Sequence, residues 1–347
     1  MLTTDDIINE LKNYDGVPLT LMEICGTHTA CISEAGIPSL LSKNIRLISG
    51  PGCPVCVTVS EYIDKLIELS HGENTTVVSF GDMLRVPGSK GSLKDAMADG
   101  GSVKMVYSPF EILNMARENS AETFVFAAVG FETTTPIYSV LLDEITQNDI
   151  KNIKFLTALK TMPQAIEFLC ETDSNITGFL APGHVAVITG ANAFLPYAQK
   201  YKMPFVVSGF KANELLASIY ALTKLQSRGV VKNLYKSAVT DEGNTKAQES
   251  VAKYFEPCDA VWRGIGVLKN SGMALKEEYK QFDLGSREIT KDVKINPACS
   301  CGEVIIGKKS PTMCPLFKKV CTPENPQGSC MVSTEGSCYS YFINNRT

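Results

Sequence analysis

An α/β fold is what this sequence predicts, and two patterns carry the expectation. Short β-branched runs alternate with longer amphipathic segments, and the chemically distinctive residues fall in the loops just after those runs. Alternation of this kind gives mostly parallel sheets covered by helices. A third pattern sets the tail apart: after residue 285 the alternation stops and the chain becomes rich in Cys, Gly and Pro, as in a small unit supported by metal. The expected architecture is two α/β domains with mostly parallel sheets, over 1–150 and 151–285, followed by a Cys-rich unit over 286–347.

In chain order, the expected strands are "LTLMEI" (19–24), "IRLIS" (45–49), "TVVSF" (76–80), "VKMVY" (103–107) and "TFVFAAV" (123–129). "IKFLTAL" (153–159), "ITGFLA" (176–181) and "FVVSG" (205–209) continue the series. Each is too short for a helix and rich in residues that suit a pleated surface. Apolar residues recur at helical spacing in "SEYIDKLIEL" (60–69), "PFEILNMAREN" (109–119) and "ANELLASIYALTKLQS" (212–227). The charged stretch "LDEITQNDIKN" (142–152) marks the expected boundary between the two domains.

Composition narrows the function. The chain has 347 residues, 44% hydrophobic and 20% charged, with a formal net charge of −4. No basic stretch stands out, which argues against a nucleic-acid binder. The N-terminus, "MLTTDDIINELKNYDG", is acidic and amphipathic, unlike a signal peptide. No apolar run approaches the ~20 residues that span a bilayer, so the expected compartment is the cytoplasm, away from membranes. In that reducing setting the 12 cysteines point to metal binding or redox chemistry rather than a disulfide framework. Cys170 and Cys258 stand alone among apolar residues and are expected to be inert buried thiols.

The remaining signals follow the strands. "CGTH" (25–28), "GPGCPVC" (50–56), "GDMLRVPG" (81–88), "GFETTTP" (130–136), "PGH" (182–184) and "GFKANE" (209–214) all do so. Ligands bind outside the carboxyl ends of parallel strands, so these loops could share one crevice. Turn-making and capping account for "GFETTTP", with a Thr as cap of the next helix. They do not explain why two of only three histidines, His28 and His184, lie in such loops. The third, His71, belongs to a helix end.

Cys25 ends a strand and opens a turn into a helix, where backbone amides and the helix dipole favour a thiolate. The residues leave two readings open there: a reactive or metal-binding thiolate aided by His28, or a buried Cys with a capping His. Cys53 and Cys56 are two residues apart between prolines. Zinc knuckles, iron–sulfur half-sites and redox dithiols all use that spacing, but no second matched pair follows, which favours a disulfide-forming or metal-sharing dithiol over zinc. In the tail, Cys301, Cys314, Cys321 and Cys338 are separated by twelve, six and sixteen residues. Four thiolates suit a [4Fe–4S] cluster, and these four are the set expected to hold it. Cys299 and Cys330 are spare or replace one of them, and structural zinc remains open on spacing alone. No Walker A motif, G-x-G-x-x-G fingerprint, H-E-x-x-H or serine elbow is present.

"MEICGTHT", "SGPGCPVCVT", "GFETTTP", "APGHV" and the tail from "CGEVIIGKKSPTMCPLFKKVC" to "STEGSC" together resemble the HypD family of [NiFe]-hydrogenase maturation proteins. The motifs occur in the same order along essentially the whole chain. The resemblance implies two α/β domains facing a cleft and a C-terminal domain with a [4Fe–4S] cluster. It implies a scaffold on which the Fe(CN)2CO moiety of the hydrogenase is built, with the small chaperone HypC sharing the iron and HypE supplying cyanide. Carried over by position, Cys25 is the iron-binding thiolate, with His28 beside it in the site. Cys53 and Cys56 are a redox-active pair passing electrons between cluster and iron. His184 and Glu335 match functional positions, Glu335 as a proton-handling or hydrogen-bonding group. Lys318 stands where the family often has Gly. From a different class, a free-standing iron–sulfur disulfide oxidoreductase would also use cluster and dithiol but has no need of Cys25.

Overall fold

The computed structural model describes residues 2–172, 175–293 and 296–344. Among the described residues there are eleven strands: β1 (Leu19–Glu23), β2 (Ile45–Ser49), β3 (Thr75–Ser79), β4 (Val103–Met105), β5 (Thr123–Gly130), β6 (Ile153–Lys160), β7 (Gly178–Pro182), β8 (Phe205–Ser208), β9 (Val231–Asn233), β10 (Phe255–Trp262) and β11 (Gly266–Leu275). They form two sheets, one in the order β2-β1-β7-β8-β9 and one in the order β10-β11-β6-β5-β3-β4. The first is wholly parallel, and the second is parallel except for the β10–β11 hairpin at its edge. The α/β class with mostly parallel sheets is therefore as the sequence led us to expect.

The sheets do not divide the chain at residue 150. β5 and β6 lie on either side of that position yet pair from Phe124↔Ile153 to Gly130↔Leu159. β1 and β7, far apart in sequence, pair from Leu21↔Gly178 to Glu23↔Leu180. The chain leaves the first sheet after β2, builds most of the second, and returns at β7, so the linear split at 150/151 separates neither sheet. The charged stretch 142–152 is no linker: the helix Thr135–Gln147 runs into it, and a tight turn with Asp149 at φ 49° leads to β6. Three strands, β9, β10 and β11, lie outside the expected series. β10 and β11 alternate polar and apolar positions at an exposed edge, which hides them from a search for apolar runs.

The tail does not stand apart from the sheets. Val304, Ile305, Phe317 and Met331 share one hydrophobic core with Met22 and Ile24 of the β1 strand end and with Trp262 of the hairpin. Trp262 stacks on Phe131 at 5.8 Å and donates its indole N–H to Ser271 at 2.9 Å, satisfying its one polar atom in the interior. The last helix, Ser337–Asn344, packs against the helix Gly26–Glu34 that follows β1. Among the described residues no helix is long and apolar enough to cross a membrane.

Candidate functional site

In the first sheet β1 has β2 on one side and β7 on the other, so connections from these strands leave in opposite directions and open a crevice at their carboxyl ends. Cys25 follows β1 and His28 lies in the first turn of the helix Gly26–Glu34, while the helix Gly183–Thr189, which starts directly after β7, carries His184. Cys25 is extended (φ −147°, ψ 120°) and occupies the N-cap of the helix Gly26–Glu34. The backbone amides of His28 and Thr27 lie near its sulfur and favour the thiolate, but the side chain makes no capping hydrogen bond to the helix. The thiol is nonetheless pushed up to about 12, first by burial and then by the nearby carboxylates of Glu335 and Glu23. This corrects the expectation of a thiol acidified by the helix end: desolvation outweighs the nearby helix-end amides. Cys25 is thus a buried sulfur flanked by two acidic side chains, Glu23 and Glu335.

Glu23 is the residue of this turn that sequence reasoning left without a role. It is buried, accepts the Cys25 N–H at 3.1 Å and the Thr29 hydroxyl, and burial raises it to about 8. A lone Glu at the end of an otherwise apolar strand was the available signal. Glu335 arrives from the tail: its Oε1 accepts the Thr27 hydroxyl at 2.9 Å, and burial raises its carboxyl. A Cβ on Gly26 would overlap Glu335, so this glycine permits the tail to approach.

The two histidines meet across one aromatic ring. His184 stacks on Phe210 at 3.9 Å and His28 lies 4.9 Å from the same ring. His28 is buried, its Nε2 is 3.0 Å from the Gly209 carbonyl, and its Nδ1 has no partner among the described residues. Nε2 therefore carries the proton and Nδ1 keeps a free lone pair. Burial lowers His28 to about 4 and also lowers half-buried His184, so both rings are neutral at pH 7. His71 caps the helix Ser60–Ser70 at its C-terminus, away from these loops.

Cys53 and Cys56 are joined in a disulfide with a Cα–Cα distance of 5.2 Å. Cys53 is the N-cap of the short helix Pro54–Val57, and its sulfur accepts the Cys56 N–H at 3.1 Å. Pro54 at the first helical position has the φ the helix needs. Gly52, just before, lies so close to Cys25 that a Cβ would overlap the Cys25 backbone, and its carbonyl accepts the Gly26 N–H at 2.9 Å. On the other side, Ser329 donates to the Cys56 carbonyl at 2.7 Å and lies 3.9 Å from the Cys301 sulfur. The loop with the disulfide thus touches Cys25 on one flank and the tail on the other.

In the tail, Cys301, Cys314, Cys321, Cys330 and Cys338 are buried and Cys299 is half-buried. The Cys301 thiol has Cys299 and Cys330 as partners, the two left out of the expected set. Their S–H donors, helped by the Arg263 guanidinium, hold it well below its usual range, while Cys299 and Cys330 are raised. Backbone amides point at sulfur: Ser300 N–H at Cys314 (3.5 Å) and Gln327 N–H at Cys321 (3.4 Å). Among the described residues no three His, Cys, Asp or Glu side chains stand as a closed metal-holding set. The donor chemistry does fit a cluster: the nearby donors are all sulfur, and N–H groups aimed at sulfur stabilise thiolates.

Two expectations outside these sites need correction. Thr134, at the N-cap of the helix after "GFETTTP", makes no side-chain capping bond. From that loop Glu132 accepts the Met162 N–H, at the start of the next-but-one helix, at 2.7 Å and keeps Oε2 unpartnered among the described residues. Cys170 and Cys258 are half-buried rather than buried: Cys170 is the penultimate residue of its helix and Cys258 lies on the edge strand β10.

Fold and site define an α/β protein with a thiol-rich centre at the carboxyl ends of its parallel strands. A family model described as "HypD: Hydrogenase formation hypA family" matches residues 3–345. A putative hydrogenase expression/formation protein of Methanocaldococcus jannaschii is 40% identical over 328 residues, 93% of this chain and 91% of that relative. Hydrogenase maturation factor HypD of Escherichia coli is 39% identical over 333 residues, covering 94% and 89%. The chain belongs to the HypD family of hydrogenase maturation factors.

Proposed function

We propose that within hydrogenase maturation this chain is the scaffold on which the Fe(CN)2CO moiety is assembled, with a HypC-type chaperone sharing the iron and a HypE-type protein delivering cyanide. One observation carries the reading: three sulfur sites converge through direct contacts, Gly52 against Cys25, Ser329 against Cys56, and Thr27 against Glu335. Iron is the cargo. Cys25 offers a soft donor suited to it, and gives up its proton as the sulfur–iron bond forms, with Glu335, brought from the tail against this turn, as acceptor. The Cys53–Cys56 disulfide takes up two electrons and two protons to become a dithiol and returns them on closing. His28 and His184 stay neutral and wall the crevice beside Cys25.

Cys314, Cys321 and Cys338, with Cys301 or Cys299 as the fourth ligand, are the residues that would hold a [4Fe–4S] cluster. Such a cluster supplies low-potential electrons when bound. A free-standing disulfide oxidoreductase would need one sulfur of its pair open to an external partner. Cys53 and Cys56 are 4% and 2% exposed, which weighs against that reading. The test is Cys53→Ser. Fold and iron content are expected to stay at wild-type level while hydrogenase activity in cells is lost, and full activity would reduce the pair to a structural turn.

A further inference from the structure

Arg263 sits in the turn of the β10–β11 hairpin, between the disulfide loop and the tail. Its backbone N–H donates to Val57 and its Nε to the Thr58 carbonyl, both at 2.9 Å. The side chain is 7% exposed, and its Nη2 has no partner among the described residues. The guanidinium lines a cavity of about 260 Å³ together with Cys299 and Cys301. Two glycines make this approach possible: Gly264 has φ +77°, and a Cβ on Gly302 would meet the Gly264 Cα at 2.8 Å. The residues just before them, Arg263 and Cys301, are thereby held side by side. The other charged groups at the cavity, Asp292 and Glu303, are exposed, where solvent screens them.

A buried guanidinium with an unused donor is costly unless something anionic takes that donor up. A four-thiolate cluster carries net negative charge and gains a further electron on reduction. We propose that Arg263 is a positioning residue for the tail's cluster, supplying through its free Nη2 the buried counter-cation that favours the reduced state and so raises the cluster's potential. The proposal rests on the cluster reading given above.

The test is a reductive titration of anaerobically purified full-length protein, followed by electron paramagnetic resonance, for wild type, R263K and R263Q, with iron content measured in parallel. R263Q is expected to keep its iron and to be about tenfold harder to reduce, ~59 mV more negative for a one-electron couple. R263K keeps the charge but loses the planar fork, so its shift has the same sign and is smaller. If R263Q does not fold, R263K carries the test. Either variant with full iron and the wild-type potential overturns the proposal. Folded variants that both lose the iron also overturn it, because a counter-cation tunes a cluster the thiolates already hold. Wild-type protein without iron would strike the cluster reading itself, and this proposal with it.

Discussion

Cys25 and the tail cysteines present sulfur in opposite ways. Cys25 is fixed by regular structure: it lies two residues past a five-residue strand, is the N-cap of a nine-residue helix, and its own N–H is held by buried Glu23. Cys314 follows a single turn of 3-10 helix, and Cys321 closes an isolated bridge with Phe317. Around Cys25 the backbone is satisfied by sheet and helix, so the sulfur is free for chemistry. Around the tail, short turns and N–H···S contacts stand where ladders would be. There the sulfurs, and whatever they hold, contribute to the fold itself.

That contrast is sharpest under substitution. Cys314→Ala or Cys321→Ala is expected to remove nearly all iron and visible colour from anaerobically purified protein and to lower its melting temperature, with Cys170→Ala as an unchanged control. Iron analysis and a thermal melt read both effects, and unaltered iron in either variant would erase the distinction between the regions. Gly52→Ala tests the opposite side with a smaller effect. Its Cβ would press on the Cys25 backbone, and overpacking of this kind costs ~1–3 kcal/mol. Denaturant unfolding should show that loss, and hydrogenase maturation in cells should fall while the tail keeps its iron. Wild-type stability would mean the two loops are not in contact.

The smallest expected effect is a gain. Lys318 adopts φ 58°, a left-handed conformation that costs a side-chain-bearing residue ~1–2 kcal/mol and glycine almost nothing. Lys318→Gly is therefore expected to stabilise the tail by ~1 kcal/mol, read as a higher melting temperature with iron content unchanged. A drop in stability would show that the Lys318 side chain does more than occupy a turn.

Legibility in the sequence followed the same division. Eight strands could be read because apolar runs such as "TFVFAAV" end at Gly or Pro. Their distribution between sheets could not, since the pairing of Leu21 with Gly178 leaves no local trace. Cys25, His28, Cys53, Cys56 and His184 were visible as motifs in strand-end loops. Glu23, Arg263 and Ser329 were not: each is a single polar residue whose meaning depends on a partner brought near only by folding. The acidity of Cys25 was misjudged for a related reason, because a helix start is visible in sequence and the desolvation that overrides it is not.

The central claim, that Cys25 anchors iron at a site distinct from the tail's sulfurs, is tested most directly by infrared spectroscopy. Protein purified anaerobically with the proposed HypC-type chaperone should show cyanide and carbonyl stretching bands in the wild type. In Cys25→Ala the bands should vanish while the visible absorption of the tail's iron remains. Bands at full intensity in Cys25→Ala would contradict the claim and place the iron elsewhere.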